Sequence, residues 1–115
     1  MTGGLADDTP SLGFSNRPKD GHFNGLTPAE AERLALLAEE MGEAIQAIGK
    51  VLRHGYESRH PEGGPTNREA LEHECGDVRH AMIRLCDAGD LDKQRIHDCA
   101  DMKAKTVSRY LHHST

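Results

Sequence analysis

Five acidic residues in two short segments have the types and the spacing that divalent-metal chemistry needs. The segments read EEMGE, with Glu39, Glu40 and Glu43, and further along ECGD, with Glu74 and Asp77. Carboxylate oxygens are hard ligands of the kind that Mg²⁺ and Mn²⁺ prefer. Two such ions held close together can activate a water molecule and stabilise the charge that develops on a leaving group. The elements that carry the two segments decide whether these carboxylates can meet.

The first segment lies within a long predicted helix. The sequence TPAE offers Thr27 as the N-cap, Pro28 at the first helical position and Glu30 as the partner that completes a capping box. Apolar periodicity then continues to about Arg53. Gly55 is suited to the position that follows the helix, because glycine readily adopts a left-handed backbone conformation.

Two further helices complete the prediction. A second capping box, TNRE, begins at Thr66 and opens a helix that runs to about Asp87 and stops at Gly89. Asp90 is predicted to cap a third helix that runs to about His112. The chain shows no strand-like alternation, so the predicted fold class is all-α, with three main helices per chain.

The composition predicts an arm, a small domain and self-association. Residues 1–25 are rich in Gly, Pro, Asp and Asn and are interpreted as an extended or partly disordered N-terminal arm, followed by a helical domain over residues 26–115. Only 36% of the residues are hydrophobic and 3% are aromatic, which predicts a thin aliphatic core. Three helices with narrow apolar faces are expected to complete a bundle by dimerising.

Charge and cysteine content limit the partners. The net charge of −5 argues against a dedicated nucleic-acid binder, whose affinity depends on neutralising phosphates. No apolar run approaches the length of a membrane span, and the start of the chain does not resemble a signal peptide. Three cysteines without CxxC spacing suit free thiols in a reducing compartment. A cytoplasmic location is the expectation.

Both acidic segments place a carboxylate inside an apolar helix face. At 100° per residue, Glu40 lies inside an arc of apolar side chains, Glu43 lies at its edge about 60° away, and Glu39 lies somewhat further round. Glu74 occupies the same place on the second helix, with Asp77 about 60° to the same side. The two helices therefore carry one pattern.

Carboxylates aimed at a core need compensation, because like charges removed from water repel one another. Bound Mg²⁺ or Mn²⁺ would supply it. The alternative is that the acids form a solvated face or pair with cations of another chain. A structural zinc site is a further alternative, but His73 and His80 fall on the polar side of the second helix, where exposure is expected.

The third helix offers a positive charge. Lys103 is surrounded on the helical projection by apolar side chains, whereas Lys105 points to the opposite side. Lys103 is therefore predicted to face inward, towards the acids. The alternative is a lysine whose stem is buried and whose ammonium group reaches water.

These motifs resemble those of the MazG-type, all-α nucleoside triphosphate pyrophosphohydrolases. The family pattern is EExxE on one helix and ExxD on the next, and the flanks LRHGYESRHP, TNREALEHECGD and DMKAKTVSRYLHH are similar to small phage-encoded members. The resemblance covers roughly residues 27–113. It implies helical bundles assembled as a homodimer or a dimer of dimers. It also implies Mg²⁺-dependent hydrolysis of a (deoxy)nucleoside triphosphate, for some members a purine such as dGTP, to monophosphate and pyrophosphate.

The resemblance also implies roles for individual residues. Glu40, Glu43, Glu74 and Asp77 would hold the metal ions, and Glu39 would bind a further ion or orient the attacking water. Lys103 would neutralise a phosphate, helped by Arg109.

Three other polar residues near the start and end of helices are candidates for substrate contacts. Arg53 and His54 either stabilise the helix as cations near the negative end of its dipole, or bind the phosphate or the base of a substrate. Asn67 is a candidate for hydrogen bonds that select the base. The competing function is a non-catalytic helical module that senses nucleotides or binds a protein.

Overall fold

The structure is a computed structural model that describes residues 24–113, and the described chain is all-α. Helix α1 spans Pro28–His54, α2 spans Asn67–Asp87 and α3 spans Lys93–Thr106, followed by a short 3₁₀ helix over Val107–Tyr110. The predicted fold class, three main helices and no strand element in this range, is confirmed. Most of the predicted arm, residues 1–25, lies outside the described residues.

Both predicted capping boxes are present and fix the starts of α1 and α2. The Thr27 hydroxyl accepts a hydrogen bond from the Glu30 N–H at 3.1 Å, and a Glu30 carboxylate oxygen accepts one from the Thr27 N–H at 2.7 Å. Thr66 and Glu69 repeat the arrangement at 3.1 and 2.8 Å. Each box satisfies two backbone donors that the first turn leaves unpaired, so the helices begin where predicted.

The predicted bounds of the third helix are wrong at both ends. Asp92 is the N-cap, and its carboxylate accepts hydrogen bonds from the backbone N–H groups of the second and third helical residues. Asp90 instead pairs with Arg33 of α1, with Nε and Oδ2 2.6 Å apart. The α-helix ends at Thr106 rather than near His112, because the chain tightens there into the 3₁₀ turn.

The small core lies where α1 packs against α2. Its buried apolar residues are Ala47, Ala81 and Leu85, all on the predicted apolar faces. The two helices are antiparallel, because the end of α1 meets the start of α2, and Arg33 in the second turn of α1 meets Asp90 just beyond the end of α2. The hairpin is thus fastened at both ends.

The loop between α1 and α2, residues 55–66, is tied closely to its flanking helices. Gly55 ends α1 with a φ of 88°, a conformation that glycine adopts without strain. The Asn67 side chain donates to the carbonyls of Gly55 and Lys50, at 3.1 and 3.4 Å. Arg68 pairs with Glu57 at 2.7 Å and lies over the Tyr56 ring. The loop is therefore held in one conformation by these contacts, although its sequence is rich in Gly and Pro.

A long apolar face of α1 is not covered by the other residues that the structure describes. It comprises residues spaced alternately four and three apart, all exposed: Leu34, Ala38, Met41, Ile45, Ile48 and Leu52. We call this set the α1 seam. Ile45 is 68% exposed and Leu52 is 81% exposed, which is unusual for side chains of this size. The spacing is that of a helix that packs against another helix.

None of the helices within residues 24–113 combines the length and the hydrophobicity that a membrane span requires.

Candidate metal centre

The four predicted metal ligands converge on one point of the α1–α2 hairpin. Each offers a carboxylate oxygen, and these oxygens all lie within 4.8 Å of one another, with Glu40 and Glu43 supplied by α1 and Glu74 and Asp77 by α2. The spacing of three residues on each helix puts both acids of a pair on one side, and the antiparallel packing sets the pairs opposite each other. We call this set the carboxylate cluster.

The donor set fits a hard divalent cation. Glu40, Glu74 and Asp77 are half-buried, whereas Glu43 is exposed. The Oε1 atom of Glu74 is buried and has no hydrogen-bond partner among the described residues. Buried polar atoms normally have a partner, and an ion coordinated by this oxygen would provide one. Oxygen ligands alone, with no nitrogen or sulfur, suit Mg²⁺ or Mn²⁺.

The electrostatics of the cluster also favour a cation. Burial raises the pKa of Glu40 above its ordinary value, and the neighbouring carboxylates of Asp77, Glu43, Glu39 and Glu74 raise it further. Both causes act against the ionised form. A divalent cation among these oxygens would reverse the repulsion and keep Glu40 ionised.

Asp77 has one neighbour that the sequence interpretation did not connect to the site. His73 Nε2 lies 3.3 Å from Asp77 Oδ2, one helical turn away. Both His73 and His80 are exposed, as predicted. The imidazole therefore approaches Asp77 from the solvent side and can orient the carboxylate by donating a hydrogen bond.

Glu39, the fifth predicted ligand, lies beside the cluster without belonging to it. Its side chain is exposed, and its carboxylate is near enough to contribute to the raised pKa of Glu40. Its position is that of an additional acid at the solvent edge of the site.

The single chain does not direct Lys103 towards the carboxylate cluster. Lys103 is exposed, and α1 and α2 pack mainly on each other while α3 packs mainly on the 3₁₀ turn. Among the described residues, only the first turns of α3 approach α2. There Lys93 and Ile96 line a shallow depression together with Met82. Arg109 is likewise exposed, in the 3₁₀ turn. Among residues 24–113, α3 packs too little on α1 and α2 to bury the helix face that carries Lys103.

Arg53 and Asn67 lie together at the closed end of the hairpin. Both line a hollow of about 380 Å³ that we call the basic hollow, formed by the end of α1, the following loop and the start of α2. Its lining residues are Lys50, Arg53, His54, Ser58, Arg59, His60, Pro61 and Asn67. The amide of Asn67 also holds the carbonyl end of α1, so its first role is structural.

A second, smaller hollow joins the basic hollow to the carboxylate cluster. We call it the connecting groove, and it is lined by Glu43, Gln46, Ala47, Lys50, Asn67, Ala70 and Glu74. Lys50 and Asn67 line both depressions. The position of Lys50 near the site could have been predicted from helical periodicity, because Lys50 lies seven residues after Glu43 and therefore on nearly the same helix face. Arg59 and His60 lie in the loop, where periodicity gives no signal.

A comparison of the chain with protein-family models, with curated proteins and with solved structures finds no match.

Proposed function

We propose that this protein is a metal-dependent pyrophosphohydrolase that converts a (deoxy)nucleoside triphosphate, a purine such as dGTP in the first instance, to the monophosphate and pyrophosphate. The observation that carries the proposal is the carboxylate cluster: four oxygens within 4.8 Å of one another, drawn from two helices. The unpartnered Oε1 of Glu74 supports the same interpretation. The motif resemblance is the basis for the proposed reaction type, and the geometry of the carboxylate cluster supports the proposal that metal ions bind there.

In this proposal each acid has a defined task. Glu40, Glu43, Glu74 and Asp77 hold Mg²⁺, for which Mn²⁺ can substitute. When bound, the ions supply positive charge that lowers the pKa of a water molecule and stabilises the leaving group. Glu39, exposed beside Glu40, orients the attacking water and accepts its proton.

The bond changes follow from the products. The water oxygen bonds to the α-phosphorus while the bond from that phosphorus to the α,β-bridging oxygen breaks. The bridging oxygen keeps the electron pair and leaves on pyrophosphate. The chain's task is to keep water and triphosphate in line, which is most of what phosphoryl-transfer enzymes contribute.

We further propose that the active form is a homodimer or homotetramer. The α1 seam exposes six apolar side chains at the spacing used in helix pairing, and a second copy would cover them. Lys103 and Arg109 are exposed on a part of the chain that packs little on α1 and α2. We assign them to the phosphates of a site that assembly completes.

The test is a panel of the common nucleoside and deoxynucleoside triphosphates with Mg²⁺ or Mn²⁺, with monophosphate, pyrophosphate and phosphate separated. Glu40→Gln should abolish turnover. Glu72→Gln removes an exposed acid of α2 outside the cluster and serves as the matched control. Full turnover by Glu40→Gln, or phosphate as the released product, would contradict the proposal.

The competing function is a nucleotide-sensing or protein-binding module. It predicts binding of a nucleotide or of a partner protein, little influenced by metal, with no product from any nucleotide of the panel in either metal.

A further inference from the structure

The basic hollow concentrates positive charge in an acidic protein. The chain carries a net charge of −5, yet three permanent cations line this hollow, namely Lys50, Arg53 and Arg59. His54 and His60 add two rings that become cationic on protonation. No acidic residue is among its lining residues in the described chain. Such a concentration attracts an anion, and arginine with lysine suits phosphate oxygens.

The basic hollow has a supported shape. The Arg59 guanidinium donates to the Gly64 carbonyl at 3.0 Å, which anchors one of its nitrogens across the loop. The Nδ1 atom of His60 accepts a hydrogen bond from the Glu62 N–H at 3.1 Å, so the ring proton of neutral His60 is on Nε2. The Ser58 carbonyl accepts from the Asn67 N–H at 2.8 Å, which fastens the loop to α2. The cations thus project from a backbone that is already fixed.

The connecting groove shares Lys50 and Asn67 with the basic hollow, and it shares Glu43 and Glu74 with the carboxylate cluster. Lys50 lies seven residues after Glu43 on α1, and Asn67 lies seven residues before Glu74 on α2, so each separation along the helix axis is about 10 Å. The connecting groove spans this interval and contains all four residues. An extended lysine side chain is longer than half of this separation. The ammonium group of Lys50 can therefore approach a phosphate that is bound beside the carboxylate cluster.

We propose that the basic hollow receives the β- and γ-phosphates of the nucleotide, with Lys50 and Arg53 as their principal ligands, and holds the pyrophosphate product after cleavage. This rests on the proposed function. When the bond to the α-phosphorus breaks, the β-phosphate gains negative charge. Cations placed at that end of the substrate stabilise the charge as it forms. The nucleoside then extends from the cluster in the direction away from the basic hollow.

The first experiment measures binding of inorganic pyrophosphate by calorimetry, with EDTA present so that no divalent ion contributes. Lys50→Gln and Arg53→Gln should each weaken binding by about tenfold, as expected for the loss of one charge-assisted contact. Lys105→Gln, which removes an exposed lysine of α3 outside the hollow, should leave the affinity unchanged. Circular dichroism of each variant checks that the helices are intact.

The second experiment uses product inhibition of turnover. In Lys50→Gln, inhibition by pyrophosphate should weaken while inhibition by the nucleoside monophosphate stays the same. The opposite pattern would place the nucleoside in the hollow and overturn the inference. So would pyrophosphate affinity that is indifferent to both substitutions in a protein that hydrolyses nucleotides. Pyrophosphate binding that depends on Lys50 and Arg53, in a protein that hydrolyses nothing, would uphold the anion site and refute the enzyme.

Discussion

Replacement of Glu40 by glutamine should have opposite effects on stability with and without metal. Burial and the surrounding carboxylates raise the pKa of Glu40 in the folded protein. An acid with a raised folded pKa costs stability once it is ionised, so metal-free wild type should lose stability as pH rises from 4.5 through the raised value. The glutamine removes this cost, and the metal-free variant should be at least as stable as wild type at pH 7.

The effect of metal can be worked from linkage. An ion present at 100 times its Kd stabilises the folded state by about 2.7 kcal/mol, which for a domain of this size is about 10–20 °C in Tm. Loss of one of the four carboxylates of the cluster should weaken binding by about 100-fold, the upper end of the range for lost supporting contacts. The same metal concentration then equals Kd, and the stabilisation falls to about 0.4 kcal/mol, or about 2–3 °C.

Thermal unfolding followed by circular dichroism measures both the Tm without metal and the increase in Tm that metal produces. Wild type, Glu40→Gln and the control Glu72→Gln would be melted at pH 7 in EDTA and again in a series of Mn²⁺ concentrations. The control should follow wild type in both conditions, because Glu72 lies outside the cluster.

Two outcomes would refute the reasoning. If Mn²⁺ raised the Tm of Glu40→Gln as much as that of wild type, the carboxylate cluster would not be the binding site. If metal-free Glu40→Gln melted well below wild type, ionised Glu40 would be contributing a favourable contact, contrary to the electrostatics of the cluster.

Three further outcomes are expected. Ile45→Lys, in the α1 seam, should convert an associated protein to monomers in analytical ultracentrifugation without loss of helicity, because a charge in an apolar helix contact opposes assembly; an unchanged sedimentation coefficient would exclude this face from the contact. Leu85→Ala should lower the free energy of unfolding in urea by about 2–5 kcal/mol, since Leu85 is fully buried; a loss below 1 kcal/mol would show that the core relaxes around the deletion. Asp90→Asn should destabilise the protein most near neutral pH, because the Arg33 hydrogen bond lowers the pKa of Asp90 and its contribution is lost as pH falls through that lowered value. The urea midpoints of wild type and variant should therefore converge as the pH falls below 3.8 and through the lowered pKa of Asp90, and a constant difference would contradict the assignment.

The starts of α1 and α2 and the meeting of the four acids could be predicted from sequence because both depend on short-range rules. Capping boxes act over three residues, and a spacing of three keeps two carboxylates on one helix face. Only the antiparallel contact between the helices had to be added, and the apolar stripes that contain Glu40 and Glu74 indicated it.

The remainder depends on contacts that are distant in sequence. Asp90 is of a residue type that often serves as an N-cap. Its carboxylate instead pairs with Arg33, which is distant along the chain. The apolar side chains around Lys103 on α3 predict that it faces inward, but among the described residues α3 packs mainly on the 3₁₀ turn. Arg59 and His60 reach the basic hollow through a loop whose path is set by hydrogen bonds to α2, which periodicity does not contain.

The fastening of the α1–α2 hairpin at both ends bears on how such a site can change over evolution. A slip of one helical turn between the two helices would separate the facing acids by about 5.4 Å. The Arg33–Asp90 pair at one end and the Asn67 contacts at the other oppose that slip. Residues on the open sides of the hairpin are therefore free to be replaced without altering the spacing of the carboxylates. A lineage built on this hairpin could vary the residues around the four carboxylates while the spacing of the carboxylates stays the same.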